Sequence, residues 1–326
     1  MLPSTFPEWV LAASVYFTVS TILWFFPHLV HGRKKVQFSA KHISHRGGSA
    51  EGYENTLTNY ENAIKNGTEM LELDVRLSKD GKVVVIHDEN LLRLTGQNKN
   101  VSETNYEDFP PLLSSIPIEN LPGVCYQSAS TAEEEQKIPL LIQVFSRFPG
   151  IPINIDVKAY DPDLVKNVAD LIHAFCRVDI TVWGNSEKET SNLCYDSAPD
   201  INLFFSTFKV IFALVLALTG LLPFMRIRET HFEVFLPRVM KNQILAKRPL
   251  SFFENVLFGV TNIFVYGRPF NFFSHLYARG IQVYLWVCNS EDEFEECMKI
   301  QATGIMTDYP TKLRDFLDTR AQPRIT

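Results

Sequence analysis

The 326-residue chain is 46% apolar and 21% charged, with a formal net charge of −6, and is long enough for two average domains or one large α/β barrel with additions. That composition excludes a disordered, collagenous or coiled-coil chain. With neither a global basic field nor a basic patch beside stacking aromatics, no nucleic-acid partner is expected.

In chain order, the first element is an uncharged stretch from Trp9 to Pro27 (WVLAASVYFTVSTILWFFP). At about 1.5 Å per residue it approaches the hydrocarbon thickness of a bilayer, which predicts a membrane anchor over 1–35 with a transmembrane helix at about 9–30. A cleaved signal peptide is the rival, but it would open on basic residues and close on small ones, whereas here the first charge is Glu8 and the run ends in WFFP. Arg33, Lys34, Lys35 and Lys41 follow, and the positive-inside bias puts the remainder in the cytosol. Asn66-Gly67-Thr68 and Asn100-Val101-Ser102 are glycosylation triplets that would be used only in a lumen.

Residues 42–308 alternate short β-branched runs with helical patterns, as βα units around a parallel sheet do. Strands are predicted at 42–44, 71–75, 83–86, 153–157, 180–183, 201–205, 232–236, 281–287 and 304–307, one more than a (β/α)8 TIM barrel needs. Ser78-Lys79-Asp80-Gly81 is too short for a parallel crossover and suits a hairpin, so 83–86 folds back and eight barrel strands remain. Pairing Leu77 with Lys82 then brings His87 opposite Glu72. Pro139 falls in the first turn of a helix running to Phe148, an acidic-first helix spans Glu291 to Ile300, and 88–137 is a loop-rich insertion. The barrel unit is 40–318, with a tail over 319–326.

Two apolar stretches lie within that unit. Val210 to Met225, in a membrane-associated segment over about 208–225, reads as interfacial rather than as a second span, because strands of one sheet lie on both sides of it. The region 252–273 carries Phe253, Phe258, Phe264, Tyr266, Phe270 and Phe272, which suit either a membrane interface or an apolar barrel helix. The five cysteines, Cys125, Cys176, Cys194, Cys288 and Cys297, lack a CxxC or zinc-type spacing and read as buried or idle thiols.

Barrel chemistry sits at the C-terminal strand ends. The first strand ends in His45-Arg46-Gly47-Gly48; the second carries Glu72 and Asp74 on one face by period-2 alternation; Asp156 and Lys158 share a face on the 153–157 strand and its exit. Paired carboxylates on one face are costly unless a cation neutralises them, and an oxygen-only triad of Glu72, Asp74 and Asp156 suits one divalent cation, Mg2+ or Ca2+, better than zinc. Arg46 and Lys158 then form a phosphate clamp, with His45 and His87 as base and acid for phosphodiester cleavage. Each of these groups taken alone is more commonly a solvated cap or salt bridge; their meeting at one rim is what favours chemistry.

These residues resemble the glycerophosphodiester phosphodiesterase family: HRGG at 45–48, ENT at 54–56, ELDV at 72–75, KDGKVVVIHD at 79–88, NIDVK at 154–158, WVCN at 286–289 and GIMTDYP at 304–310. The resemblance covers roughly 40–318 and implies a (β/α)8 barrel with an inserted hairpin/loop subdomain. It implies His45 and His87 as the acid/base pair, Glu72, Asp74 and Asp156 as metal ligands, and Arg46 and Lys158 as phosphate contacts. Most of the family has Glu at the position of Asp156, and His87 is in some descriptions a metal ligand instead of an acid. Glu54 and Asn55 are expected to organise the first loop, and Trp286 to wall the headgroup or pack in the core. The anchor and the ending TDYPTKLRDFLD are most similar to the membrane-bound lysophospholipase D branch. That branch implies an endoplasmic reticulum or perinuclear enzyme converting lysophosphatidylcholine or N-acyl lysophosphatidylethanolamine to lysophosphatidic acid. The alternatives are a phosphodiesterase for soluble glycerophosphodiesters and a non-catalytic lipid-binding scaffold.

Overall fold

A computed structural model describes residues 7–119, 121–128, 133–245, 248–267 and 270–321. The side chains of Phe264 and Tyr266 and residues 322–326 of the expected tail lie outside the described residues. Eight parallel strands form the barrel: β1 (His42–Ser44), β2 (Met70–Leu77), β3 (Ile153–Val157), β4 (Thr181–Gly184), β5 (Asn202–Leu203), β6 (His231–Phe235), β7 (Gln282–Trp286) and β8 (Gly304–Thr307). Each pairs with its neighbours in chain order, β8 returns to β1, and a bridge between Phe204 and His231 closes β5 onto β6. Both ends of the apolar segment after β5 therefore feed adjacent strands of one barrel.

Alternation along the strands separates two cores. Leu71, Leu73 and Val75 of β2 face outward with Ile153, Ile155 and Val157 of β3, against Val144, Phe145, Leu164 and Val168 of the surrounding helices. Ile43, Met70, Val182, Tyr284 and Met306 fill the interior. Burying each such side chain contributes about 1.5–3 kcal/mol, which fixes the register and leaves Glu72 and Asp74 no face but the inner one. Local signals agree. Asp161 caps the Pro162–Ala174 helix, and Ser290 and Glu293 form a capping box on Glu291–Lys299.

Three expectations are corrected. The hairpin strand Val83–Val85 does fold back on β2, but Leu77 pairs with Val83, one residue off the expected register. Gly81, at φ 76°, lets the turn take a third residue, so that Ser78 N–H meets the Lys82 carbonyl at 3.0 Å; counting back, Asp88 rather than His87 falls level with Glu72. Pro139 is outside its helix, which spans Leu141–Arg147, because its carbonyl is taken by Val85 N–H at 2.8 Å. The N-terminal helix covers Glu8–Phe25 and stops short of residue 30, since Phe26, before Pro27, leaves the helical region.

That helix is long and apolar enough to cross a membrane, and 17% of it is buried. It is fixed to the barrel: Ser20 Oγ donates to the Gly220 carbonyl (2.6 Å), Tyr16 O–H donates to that of Thr219, and the Trp24 ring stacks on His275. The Thr207–Leu218 helix packs Ala213 and Ala217 inward and leaves Phe208, Ile211, Phe212, Val215 and Leu218 exposed. The insertion carries its own hairpin, Ser115–Pro117 with Cys125–Gln127, over a small core that includes Leu91, Leu94, Leu112 and Ile116.

Candidate active site

The chain leaves β1 through three consecutive left-handed residues, Arg46 (φ 51°), Gly47 (φ 81°) and Gly48 (φ 96°). A Cβ on Gly48 would stand 2.5 Å from Pro310 Cδ, so only glycine allows the turn that keeps His45 and Arg46 at the mouth. Arg46 carries a side chain in this region at a cost of about 1–3 kcal/mol, the kind of strain that gathers at functional sites.

Arg46 is the hub. Its backbone N–H donates to Glu72 Oε2 (2.8 Å). Its guanidinium meets Glu54 Oε1 (3.2 Å), Asp74 Oδ2 (3.2 Å) and Glu119 Oε2 (2.8 Å). Burial works against the charge, but the surrounding carboxylates hold it firmly protonated. Glu54 also accepts two bonds from Arg93 (2.7 and 2.8 Å), and Asn55 donates to Asp74 Oδ2 (2.9 Å) while accepting from Tyr60 O–H. Lys158 Nζ lies 3.0 Å from Asp74 Oδ1 and also bonds Asp156. Asp156 is held on its other oxygen by Asn185 Nδ2 (3.0 Å).

The carboxylates respond differently to burial. Burial alone would raise Asp74, but Lys158, Arg46 and the Asn55 hydrogen bond hold it far below the ordinary range. Burial and the adjacent Asp74 push Glu72 up to about 7. Glu233, on the inner face of β6, is pushed by burial to about 8, with Glu72 and Asp156 adding to the effect. Asn154 donates to its Oε2 (2.7 Å), while its Oε1 is buried without a hydrogen-bond partner among the described residues.

Each histidine rests on a carboxylate. His45 Nδ1 is 2.7 Å from Asp308 Oδ1, and Asp308 is in turn held by Ser49 Oγ (2.6 Å) and Asn289 Nδ2 (2.9 Å). Because Asp308 stays ionised despite burial, through His45 and these donors, His45 Nδ1 carries its proton toward Asp308 and Nε2 faces Glu72, 4.0 Å away. Burial lowers His45, yet Asp308 and Glu72 outweigh it and the net shift is upward. His87 Nδ1 is 2.7 Å from Asp88 Oδ1, and Arg93 clamps Asp88 (2.7 and 3.0 Å).

Arg46, Glu54, Asn55, Asp74 and Lys158 thus form one connected network, joined to Glu72 by the Arg46 N–H and to Asp156 by Lys158, while His45 is held by Asp308 and approaches the network only through Glu72 at 4.0 Å. Trp286 stands apart, its ring centroid 4.0 Å from that of Phe235, against the inner core. The oxygens of Glu72, Asp74 and Asp156 are not gathered as tightly as a ring nitrogen of His87 and the carboxylate oxygens of Asp88 and Glu119, which lie within 4.8 Å of one another and could hold an ion. Lys158 draws Asp156 toward itself, and Arg46 and Lys158 stand between the acidic groups. Four residues escaped sequence reasoning: Asp88, Glu119, Glu233 and Asp308. Asp88 adjoins His87, Asp308 lies in the TDYP run, and Glu233 follows from the alternation that exposed Glu72; Glu119 had no signal.

A closed barrel whose mouth holds two carboxylate-backed histidines, a buried arginine and a part-buried lysine has the form of a phosphodiesterase. Residues 45–312 match the Glycerophosphoryl diester phosphodiesterase family, and the chain belongs to that family of phosphoric diester hydrolases. It is 44% identical over 305 residues to Lysophospholipase D GDPD1 of Homo sapiens, covering 93% of this chain and 94% of that protein. It is 33% identical to Lysophospholipase D GDPD3 of Homo sapiens over 90% and 89% of the two chains. In fold it is similar to the crystal structure of a glycerophosphodiester phosphodiesterase from Agrobacterium tumefaciens (TM-score 0.59, 19% identity, 84% and 99% coverage). A phosphodiesterase from Oleispira antarctica, solved with sn-glycerol-3-phosphate as product, is similar to the same degree (TM-score 0.58, 18% identity, 86% and 98% coverage).

Proposed function

We propose that the chain is a membrane-anchored, metal-dependent lysophospholipase D that converts lysophosphatidylcholine to lysophosphatidic acid and choline, and N-acyl lysophosphatidylethanolamine to lysophosphatidic acid and an N-acylethanolamine. The observation that carries it is the pair of histidines, His45 and His87, each fixed at Nδ1 by a carboxylate beside Arg46 and Lys158, in a chain bearing a membrane-length apolar helix. Arg46 and Lys158 take the phosphate oxygens. His45 Nε2 accepts a proton from the attacking water, whose oxygen bonds phosphorus as the bond to the headgroup oxygen breaks, and His87 delivers a proton to that leaving oxygen, Asp308 and Asp88 steadying the imidazolium in each case. The residues suit a hard divalent cation: buried Glu72 and Glu233 lack enough nearby positive charge to ionise in the ordinary range, and the donors are oxygens. Glu72, Asp74 and Asp156 would hold Mg2+ or Ca2+, which when bound supplies Lewis-acid polarisation of a phosphoryl oxygen.

The bilayer is read as the second partner, through the 1–35 anchor and the exposed face of the Thr207–Leu218 helix. The positive-inside bias of Arg33, Lys34, Lys35 and Lys41 favours a cytosolic barrel, and resemblance to its branch favours the endoplasmic reticulum or perinuclear membrane. The test is choline release from lysophosphatidylcholine against glycerophosphocholine, with Mg2+, Ca2+ or EDTA and Glu72→Ala as control. Metal-dependent release from the acylated substrate supports the reading. Release mainly from glycerophosphocholine would favour the soluble-diester reading, to which the glycerol-phosphate product in the Oleispira enzyme points; release from neither would return the scaffold reading.

A further inference from the structure

The Arg46 guanidinium faces three carboxylates, and they are not equivalent. Glu54 is also held by Arg93, and Asp74 by Lys158 and Asn55; both are buried. Glu119 comes from the insertion, beyond the Ser115–Pro117 strand, and its side chain is 44% exposed. One oxygen, Oε2, spans Arg46 Nη2 (2.8 Å) and His87 Nδ1 (3.4 Å). The hairpin behind it is pinned, with Arg93 donating to the Pro117 carbonyl (3.0 Å). A carboxylate thus lies on the cation that a substrate phosphate must reach, and against the Nδ1 side of His87 that Asp88 also holds.

We propose that Glu119 occupies the position of the substrate phosphate in the resting enzyme and is exchanged for it, making it a specificity-determining residue. The inference rests on the reading of Arg46 as a phosphate-facing group. A phosphate added beside three carboxylates would leave one guanidinium among four anions, so one anion leaves. Glu119 is the one that can, because water receives its charge, whereas moving Glu54 or Asp74 strands a buried carboxylate and a second cation. The exchange also sorts ligands by charge. A phosphodiester monoanion replaces the Glu119 carboxylate one for one, while a phosphomonoester dianion adds a charge beside Glu54 and Asp74 with the displaced Glu119 still tethered nearby, so the site favours entry of diester and exit of monoester.

The test is calorimetric titration of the full-length protein in detergent with inorganic phosphate and with sn-glycerol 3-phosphate. Glu119→Ala is expected to tighten both by at least about fivefold, with Glu119→Gln, which keeps the shape and loses the charge, falling between it and the native chain. Glu107→Gln, removing an exposed carboxylate paired with Lys82 outside the site, should stay within about twofold and controls for net charge. An unchanged or weakened affinity in both Glu119 variants overturns the proposal, as does undetectable phosphate binding by every form. Should Glu119→Ala fail to fold, the Gln variant alone decides. Because the readout is binding, tightened phosphate affinity in a chain that releases no choline would sink the lysophospholipase reading and leave the exchange standing.

Discussion

Replacing Asp308 by Asn tests whether the carboxylate behind His45 is part of the chemistry. The change keeps the size of the side chain and the backbone bond from Asp308 N–H to Asn289 Oδ1 (2.9 Å), and removes one buried charge 2.7 Å from His45 Nδ1. A charge-assisted hydrogen bond of this kind is worth about 1.5–3 kcal/mol, and losing tautomer control in a comparable His–Asp pair costs about 10⁴ in kcat. A fall of about 10²–10⁴ in kcat/KM, roughly 3–5.5 kcal/mol, is therefore expected. Burial then dominates His45, its pKa drops, and the acid limb of kcat/KM moves to lower pH, because the base proposed at His45 works in its neutral form. Phosphate affinity, assigned to Arg46 and Lys158 in the proposal, should stay within about threefold. Stability gives a second readout: a histidine raised in the folded state adds stability that is present below its unfolded value and lost as pH rises through the folded one. The melting-temperature gap between native and variant protein should narrow from pH 6 upward, to the part set by Asp308's other hydrogen bonds. Activity within about threefold of native with an unmoved acid limb would refute the reasoning.

Glu72, at about 7 in the folded chain, binds a proton that the unfolded chain releases near 4.3. Chelator-treated protein should therefore lose stability as pH rises from about 5 to 7; divalent cation should reverse the loss and Glu72→Gln should reduce it, whereas a melting temperature flat in pH would contradict the assignment. Gly48→Ala places a Cβ against Pro310 in a left-handed backbone, and should cost about 1–3 kcal/mol and most activity, read by thermal denaturation and turnover; a fully active variant would show that the turn tolerates a side chain. Phe252 and Phe253, 86% and 73% exposed, should enter the lipid interface at about 1.5–3 kcal/mol each if fully buried there. Phe252→Ser with Phe253→Ser should then weaken sedimentation with vesicles and turnover of vesicle-borne lysolipid, while glycerophosphocholine turnover, if any, stays unchanged.

Much of this site follows from local pattern. Alternation alone assigned Glu72 and Asp74 to one face, and the shortness of Ser78–Gly81 separated the hairpin from the barrel strands. What escaped was set by closure and by irregular chain. Asp308 reaches His45 across 263 residues, a contact that exists only because β8 returns to β1. The hairpin register turned on one left-handed glycine, and Pro139, read as a helix starter, serves as an edge partner to Val85. Glu119 sits in an insertion without periodicity, where sequence spacing carries no direction. Glu233 was within reach, since it alternates with Phe232 and Val234 as Glu72 does with Leu71 and Leu73.

The bonds from Tyr16 and Ser20 to the Thr219–Gly220 turn, with Trp24 stacked on His275, make the N-terminal helix an extension of the barrel instead of a loose tether. On the proposed anchoring, an enzyme mounted this way does not sample the bulk phase; its search runs in two dimensions, among lipids diffusing past a mouth kept at a set height and tilt. Its rate would then follow the mole fraction of lysolipid in the membrane and not the molar amount in the suspension, so that diluting substrate with inert phospholipid slows turnover while adding buffer does not.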